Sequence, residues 1–219
     1  MTAALLAPPG VYAPQHDTRL LADELRCEPL PAGADVLDIG TGTGAVGLAA
    51  AELGARVTAV DISRRAVLTA RLNAWRSRLP LRVLRGDLLA PVTDRTFDLI
   101  LANPPYVPAS SPRVPTRGPA RAWDAGRDGR LVLDRICHGA PALLRPGGRL
   151  LLVHSALSTP ARTLGLLAGQ GLRAEIVRQH WIPFGPVLRA RQHWLRRQEL
   201  LTGGASREEL VVVRAERSK

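Results

Sequence analysis

The sequence of 219 residues predicts an α/β fold with a doubly wound, mostly parallel sheet that has helices on both faces. Short apolar segments alternate with amphipathic segments of helical length along most of the chain. Polar residues recur where the apolar segments end, which is the edge of a parallel sheet where ligands bind. The length suits a single domain over residues 1–219.

The first half of the chain contains four predicted strands and two predicted helices. In order, these are strand 34–40, helix 45–54, strand 55–61, helix 63–79, strand 81–87 and strand 97–103. The strands are short apolar runs that end in glycine or a polar residue. The first helix has helical spacing and stops at Gly54, and the second is amphipathic with Ser63 as a suitable N-cap.

The second half continues the alternation but is interrupted twice. Its predicted elements are a helix and its stop within 128–148, strand 149–155, a helix near 159–169, a strand near 172–178 and strand 208–215. The interruptions are the Pro-, Ser- and Arg-rich loop 107–122 and the basic segment 178–204. Long connections inside compact α/β domains are commonly functional or mobile. We therefore expect a basic insertion near 178–204.

The composition limits the classes of function. The net charge of +11 suggests a nucleic-acid partner, but Lys219 is the only lysine. Abundant Arg together with Ala, Gly and Pro is typical of GC-rich codon usage, so the charge alone carries little weight. No apolar run reaches the roughly 20 residues of a membrane span, and the first residues do not resemble a signal peptide. A cytoplasmic protein without membrane attachment is expected.

No metal site is expected from the sequence. Cys27 and Cys137 have neither metal-ligand nor disulfide spacing, and the five histidines show no ligand spacing. The motifs of Ser and Cys nucleophiles are also missing from the sequence.

The stretch "VLDIGTGTG" predicts a nucleotide-type cofactor. Residues 42–47 match the G-x-G-x-x-G pattern of nicotinamide and flavin enzymes. Asp38, however, lies two residues before Gly40, where a carboxylate would repel a pyrophosphate. The same carboxylate would favour a ligand with an ammonium or sulfonium group. This charge predicts S-adenosyl-L-methionine as the cofactor.

The predicted cofactor contacts follow three successive strands. Glycines let the backbone pass close to the amino-acid part of the cofactor, Asp61 can accept from both ribose hydroxyls, and Asp87 can accept from the adenine amine. Each acid alone could instead be a helix cap or turn residue. The predicted contacts at these strand ends are Asp38, Gly40, Thr41, Gly42, Gly44, Asp61, Ile62, Asp87 and Leu88.

The motif "NPPY" at 103–106 predicts an acceptor site for a flat NH2 group. Asn103 offers a side-chain carbonyl, and Pro104 offers a backbone carbonyl. Both carbonyls can accept hydrogen bonds from the NH2 group that receives the methyl. The nitrogen lone pair is then oriented for attack. Pro105 stiffens the turn, and Tyr106 supplies a flat face. A chemically idle Asn-Pro turn is the simpler alternative for the motif alone.

The segments "DIGTGTG", "AVD", "GDL" and "NPPY" occur in the order seen in class I S-adenosylmethionine-dependent methyltransferases. This resemblance implies a Rossmann-like, seven-stranded sheet that is mostly parallel with an antiparallel C-terminal strand. Within that class, NPPY resembles enzymes that methylate a planar nitrogen: adenine N6, cytosine N4 or a glutamine amide. Asn103, Pro104 and Tyr106 are then the catalytic residues, and Asn103 also contacts the cofactor.

Two further segments resemble the HemK type of glutamine methyltransferase, in particular its short eukaryotic and archaeal form. Residues 10–25 resemble the segment that covers the cofactor (10–26 here), with Thr18 at the cofactor contact and His16 in place of the usual acid. Residues 121–135 resemble the lid over the substrate, so Trp123 is expected to wall the pocket together with Pro105. The resemblance implies methylation of glutamine N5 in a protein, plausibly a translation release factor, with a small zinc-ribbon partner possible.

Several alternatives remain open. The basic segment 178–204 places aromatic residues between arginines, which would suit a nucleic-acid base as the acceptor (adenine N6 above all). Packing across the sheet or a lid on a protein is favoured over nucleic acid for this segment. A small-molecule nitrogen could also be the acceptor, and a binding module without turnover is the last possibility.

Overall fold

Residues 4–218, which a computed structural model describes, form seven β-strands and six α-helices. The strands are β1 (Asp35–Ile39), β2 (Arg56–Asp61), β3 (Leu81–Arg85), β4 (Phe97–Ala102), β5 (Leu144–Ser155), β6 (Leu172–Pro183) and β7 (Arg207–Arg217). The helices are α1 (His16–Cys27), α2 (Ala45–Glu52), α3 (Arg64–Ser77), α4 (Leu131–Gly139), α5 (Pro160–Gly169) and α6 (Pro186–Arg197).

The strands form one sheet in the order β3-β2-β1-β4-β5-β7-β6. Strand β7 runs antiparallel to both of its neighbours, whereas the other paired strands are parallel. This arrangement confirms the predicted Rossmann-like fold. The order of the strands reverses between β1 and β4, which creates the crevice where such sheets bind ligands.

The central strands are buried because their residues are apolar on both faces, as a sheet covered by helices requires. Ile39, Ile100, Leu151 and Val212 belong to one continuous core and are inaccessible to solvent. Fully burying a side chain of this size contributes about 1.5–3 kcal/mol. This rigid centre supports the loops that follow the carboxyl ends of β1, β2, β3 and β4.

Three predicted elements differ from the structure. The predicted helix within 128–148 ends at Gly139, a 3₁₀ turn covers 140–143, and β5 begins at Leu144, earlier than the predicted strand 149–155. Pro141 has no N–H for an α-helical hydrogen bond, which explains why the helix does not continue. Strand β6 also continues beyond 178 to Pro183.

The basic segment 178–204 is divided between the end of β6, helix α6 and the turn before β7. Phe184, Leu188 and Leu195 are buried and form a separate apolar cluster. Val107, from the chain after β4, packs against this cluster. Packing is therefore a major role of this segment, as favoured from the sequence.

Over residues 4–218, the structure contains no helix with both the length and the apolarity needed to cross a bilayer.

Gly129 lies against the backbone of the NPPY motif. Its φ of +72° is in the left-handed region, and a Cβ there would be 2.2 Å from the carbonyl oxygen of Tyr106. That oxygen also accepts a hydrogen bond of 2.7 Å from Ser158 Oγ. Only glycine therefore permits this close approach between the turn before α4 and Tyr106.

We expect Gly129→Ala to reduce the free energy of unfolding by about 2–5 kcal/mol, because backbone strain and a steric clash add together. Gly171→Ala is the matched control, since Gly171 has a φ of +80° but nothing within 4 Å of the added Cβ. This control should lose only about 1–2 kcal/mol. Urea denaturation measures both variants, and equal losses would show that the contact with Tyr106 is unimportant.

Candidate active site

A cavity of about 980 Å³ lies at the carboxyl ends of β1 to β4. It brings together most of the site residues predicted from the sequence. The predicted residues that line it are Gly40, Thr41, Gly42, Asp61, Ile62, Asp87, Leu88, Asn103, Pro104, Pro105, Tyr106 and Trp123. Thr18, Asp38 and Gly44 do not line the cavity, but each is hydrogen-bonded to a residue that does, namely Asn103 for Thr18 and Thr41 for Asp38 and Gly44.

The glycine loop after β1 needs glycine for its backbone conformation. Gly40, Gly42 and Gly44 have φ values of +71°, +56° and +87°. An added Cβ at Gly40 or Gly42 would meet no atom closer than 3.9 Å, so space does not demand glycine at these two positions. At Gly44 it would lie 3.2 Å from the side chain of Ala70 in α3. Gly44 therefore packs the loop against a helix.

Asp38 anchors the glycine loop through hydrogen bonds to its buried side chain. Its carboxylate is buried, and Oδ2 accepts hydrogen bonds from Thr41 Oγ1 at 2.5 Å and from the Gly47 N–H at 3.0 Å. Burial raises the pKa of Asp38 to about 6. The predicted contact of Asp38 with a cofactor stays a prediction.

Asp61 and Asp87 present carboxylates to the cavity in different ways. Asp61 accepts from the N–H groups of Gly42 at 3.0 Å and Ser63 at 2.8 Å, and burial raises its pKa. These two bonds occupy one lone pair on each oxygen and leave acceptor capacity. Asp87 is half exposed and lies 2.7 Å from the Arg135 guanidinium.

Apolar side chains flank these acids. Ile62 is 44% exposed although it is a large aliphatic residue, and it lines the cavity. Leu88 has a φ of +51°, a conformation that is costly for a residue with a Cβ and is often found at functional sites. Together they offer an apolar surface beside the two carboxylates, which suits a ring with polar edges.

Asp17 connects the N-terminal segment to the NPPY motif. Its Oδ2 accepts from the hydroxyls of Tyr12 at 2.8 Å and Tyr106 at 3.1 Å, and its Oδ1 accepts from the N–H and hydroxyl of Thr18 at 2.6 and 3.2 Å. Burial raises the pKa of the Tyr106 hydroxyl, with the nearby Asp17 charge adding to the effect. Both tyrosines therefore stay protonated and serve as donors at neutral pH.

Thr18 orients the side-chain amide of Asn103. Asn103 Nδ2 donates to Thr18 Oγ1 at 3.2 Å, which directs the carbonyl half of the amide away from Thr18. Within residues 4–218, neither Asn103 Oδ1 nor the Pro104 carbonyl takes part in a hydrogen bond. Two hydrogen-bond acceptors without protein partners in this range therefore belong to adjacent residues that line the cavity. That they bind the methyl-accepting nitrogen stays a prediction.

The loop that follows the NPPY motif closes the side of the cavity next to Asn103 and Pro104. The backbone of Val107 pairs with this loop where it returns, donating to the Trp123 carbonyl at 2.7 Å and accepting from the Ala125 N–H at 3.1 Å. This pairing places Trp123 on the cavity wall, where the sequence predicts it.

Two features of the site were not recognised from the sequence. They are the carboxylate of Asp17 as an acceptor for two tyrosines and the loop arginines Arg117 and Arg121 on the cavity wall. The buried Glu208, which does not line the cavity but is near enough to Asp17 for their charges to interact, was not recognised either. Burial raises the pKa of Glu208 to about 7, and its Oε2 has no hydrogen-bond partner. No spacing or motif marks these residues, because each role depends on elements that are distant in the chain.

Among the residues that the structure describes, no group of three or more His, Cys, Asp or Glu side chains is arranged to hold a metal ion.

Sequence comparison places these features in a family. Residues 3–114 match the model of the methyltransferase small domain. A putative protein N5-glutamine methyltransferase of Methanocaldococcus jannaschii is 36% identical over 181 residues, which cover 82% of this chain and 90% of the relative. A release factor glutamine methyltransferase of Geobacter sulfurreducens is 36% identical over 170 residues, covering 74% of this chain and 59% of the relative. The chain thus spans well under two thirds of that bacterial relative.

A solved structure shares the fold over nearly the whole chain. It belongs to the Mtq2–Trm112 complex of E. cuniculi, which is responsible for methylation of the eRF1 translation termination factor. The TM-score is 0.66 at 24% identity, and the match covers 95% of this chain and 99% of the other. On the family model and the sequence relatives together, the chain belongs to the methyltransferase small domain family, in a group whose relatives are named protein and release factor glutamine methyltransferases.

Proposed function

We propose that the chain transfers a methyl group from S-adenosyl-L-methionine to the side-chain N5 of a glutamine in a protein, with a translation release factor as the substrate. The observation that carries this proposal is the pair of free acceptors on Asn103 and Pro104 at the cavity, where Thr18 orients the Asn103 amide. The names of the relatives support glutamine as the acceptor.

The cavity residues fit the donor chemically. Asp61 retains acceptor capacity for two ribose hydroxyls, and Asp87 can accept from an adenine amine between the apolar side chains of Ile62 and Leu88. The buried charge of Asp38 lies below the loop, where it would attract the positive end of the donor. When bound, S-adenosylmethionine would supply a methyl group activated by its sulfonium.

Asn103 and Pro104 can compensate for the low nucleophilicity of an amide nitrogen. Its lone pair is delocalised into the carbonyl, and accepting both N–H bonds orients the nitrogen so that the lone pair becomes available. Asn103 and Pro104 offer those two acceptors, and Tyr106 and Trp123 line the space around a flat group. Because these groups are held in place before the reaction, positioning supplies much of the rate without a strong base.

An adenine N6 amine or a small-molecule nitrogen has the same flat NH2 geometry. The relatives favour the protein acceptor over both. The burial of Phe184 in the α6 cluster also removes one of the aromatic residues that could stack on bases.

We also propose a small acidic partner subunit, of the zinc-ribbon kind, on the surface formed by α3 and the free edge of β3. Leu68, Leu72 and Trp75 follow helical spacing on α3 and are 64%, 45% and 77% exposed. Residues 62–86 contain seven arginines and no acid, so the apolar stripe is framed by positive charge. The similar structure of the Mtq2–Trm112 complex supports a two-subunit assembly.

Replacing Asn103 by Ala should lower kcat by about a hundredfold or more, because one preorganised partner of the reacting nitrogen is lost. Because Asn103 is also expected to contact the donor, donor affinity should fall, but by much less than kcat, so calorimetry with S-adenosylmethionine separates binding from turnover. Thr18→Val should also lower kcat, whereas Thr18→Ser keeps the hydroxyl that orients Asn103 and should retain most activity. Full turnover by Asn103→Ala would reject the proposed role of this residue.

Donor affinity should decrease as the pH falls from about 7 to 5. In the free protein burial holds the pKa of Asp38 at about 6, and a cationic ligand favours the ionised form, so binding near this pH releases a proton. Protonation of Asp38 therefore weakens binding, by up to about tenfold at pH 5.

Asp38→Asn should bind the donor more weakly with a smaller pH dependence, the remainder coming from Asp61. Glu208→Gln is the control, because Glu208 does not line the cavity and this variant should keep the dependence near pH 6. Calorimetric titration at several pH values measures each affinity. An unchanged pH profile in Asp38→Asn would contradict the role of its charge.

Trp75→Ala should leave stability within about 0.5 kcal/mol, since the residue is exposed, but weaken binding of the zinc-ribbon subunit by tenfold or more. Trp181→Ala is the matched control, because Trp181 is also exposed but lies on β6 at the other edge of the sheet. Binding to the purified subunit from the same organism is measured by calorimetry. Equal affinities of the two variants would refute this surface.

A further inference from the structure

Helix α6 has two chemically different faces. Leu188 and Leu195 face inward and are buried in the cluster with Phe184. Four side chains on the helix are exposed and cationic or titratable: Arg189, His193, Arg196 and Arg197. We call these four residues the outer face of α6.

The inner face of α6 is attached to the loop that closes the acceptor side of the cavity. Arg191 Nη1 donates to the Pro108 carbonyl at 3.0 Å and lies 2.7 Å from Asp124 Oδ1. These two partners lie near the start and the end of the loop, next to the backbone pairing of Val107 with Trp123 and Ala125. One guanidinium therefore joins both ends of the loop to α6, and the helix lies close to the mouth of the cavity.

The outer face carries positive charge without compensation. Residues 176–198 contain no Asp or Glu, and Arg189, Arg196 and Arg197 have no carboxylate within 4.0 Å among residues 4–218. Arginines on the adjoining strands behave differently. Arg178 is paired with Glu24 at 2.7 Å, and Arg214 with Glu175 at 2.5 Å. Among the described residues, Arg207 and Arg217 on β7 have no carboxylate partner either, but each donates to a backbone carbonyl. The outer face differs because three neighbouring arginines there have neither kind of partner within residues 4–218.

We propose that the outer face of α6 docks an acidic surface of the protein that carries the acceptor glutamine. This inference rests on the proposed function. Arg191 fixes the inner face of α6 to the loop beside the cavity, so a protein whose glutamine enters the cavity passes close to the helix and its outer face. Planar guanidinium groups match carboxylates in charge and geometry.

The aromatic residues on and next to α6 favour a protein over RNA, since the exposed Trp181 lies on β6 and not on the helix. Base recognition by stacking needs exposed aromatic faces beside the positive charges. Phe184 is buried, and Trp194 packs against the α6 cluster. The outer face itself therefore offers guanidinium and imidazole groups without an aromatic platform.

Docking at this face acts at a distance from the reacting atoms. It should lower the KM for an intact acceptor protein and leave kcat unchanged, because none of the four side chains lines the cavity. A short peptide that contains only the glutamine and its neighbours would not reach the outer face. The contribution should decrease at high salt, as expected for exposed ion pairs.

The test compares the wild-type chain with a variant that combines Arg189→Gln, Arg196→Gln and Arg197→Gln. Methylation is measured on the release factor of the same organism and on a synthetic peptide around its methylated glutamine. The variant should raise the KM for the release factor about three- to thirtyfold, with unchanged kcat and an unchanged KM for the peptide. The difference should shrink at high salt.

The matched control combines Arg26→Gln, Arg173→Gln and Arg217→Gln, which removes the same charge from exposed positions away from α6. The α6 variant should melt at a temperature similar to that of the wild type, because its three side chains are exposed and unpaired. The control also loses the exposed Arg26–Asp23 and Arg173–Glu216 ion pairs and the hydrogen bond from Arg217 to the Leu144 carbonyl, each worth at most about 1 kcal/mol, so both variants should remain folded in the assay. An equal KM increase in the control would show that the effect depends on net charge and not on the position of the arginines. This result would overturn the proposal.

Other outcomes also decide the question. Normal glutamine methylation with an unchanged KM in the α6 variant would reject this inference alone. Absence of glutamine methylation by every form would reject the proposed function and the inference with it. Loss of RNA binding in the α6 variant, with an unchanged KM for the release factor, would assign the face to nucleic acid instead.

Discussion

The carboxylate of Asp17 is the contact on which the geometry of the site depends. It accepts four hydrogen bonds, from the hydroxyls of Tyr12 and Tyr106 and from the N–H and hydroxyl of Thr18. Burying a carboxylate is costly unless donors compensate for the lost water, and these four donors do so. The result is a fixed connection between the start of α1 and the NPPY turn, 89 residues away in the chain.

This connection determines which half of the Asn103 amide faces the cavity. Because Thr18 accepts from the NH2 group, the carbonyl half is the one available to a ligand. Asp38 has a comparable structural role below the glycine loop, through Thr41 and Gly47. Two buried acids thus hold the two loops between which methyl donor and acceptor are proposed to meet, and preorganised groups of this kind need no rearrangement during reaction.

The positive charge of the chain is not a single feature. Three arginines on β6 and β7 (Arg173, Arg178 and Arg214) are paired with glutamates, and those of α3 and β3 frame an exposed apolar stripe. The arginines on the outer face of α6 have no carboxylate partners within residues 4–218. A net charge of +11 combines these groups, and only their positions separate a packing role from a binding role. Arg191 on α6 has a packing role, since it is held between two loop residues. The arginines around the exposed Trp75 on α3 belong to a surface that is proposed to bind a partner.

By itself, the sequence determined the alternation of strands and helices, the glycine loop and the NPPY turn, because hydrophobic periodicity and the backbone limits of glycine and proline are local. It also placed Asp61, Asp87 and Asn103 at successive strand ends, since parallel strands share one carboxyl edge. The tertiary structure alone decided that Asp17 would join Tyr12 to Tyr106, that Asp38 would anchor the loop, and that Arg191 would bridge Pro108 and Asp124. The contacts of Asp17 with Tyr106 and of Arg191 with Pro108 and Asp124 join segments that are distant in the chain, and no local pattern encodes which distant donor meets which acceptor. The partners of Asp38 are near in sequence, but they donate to its carboxylate only because the fold buries it beneath the loop.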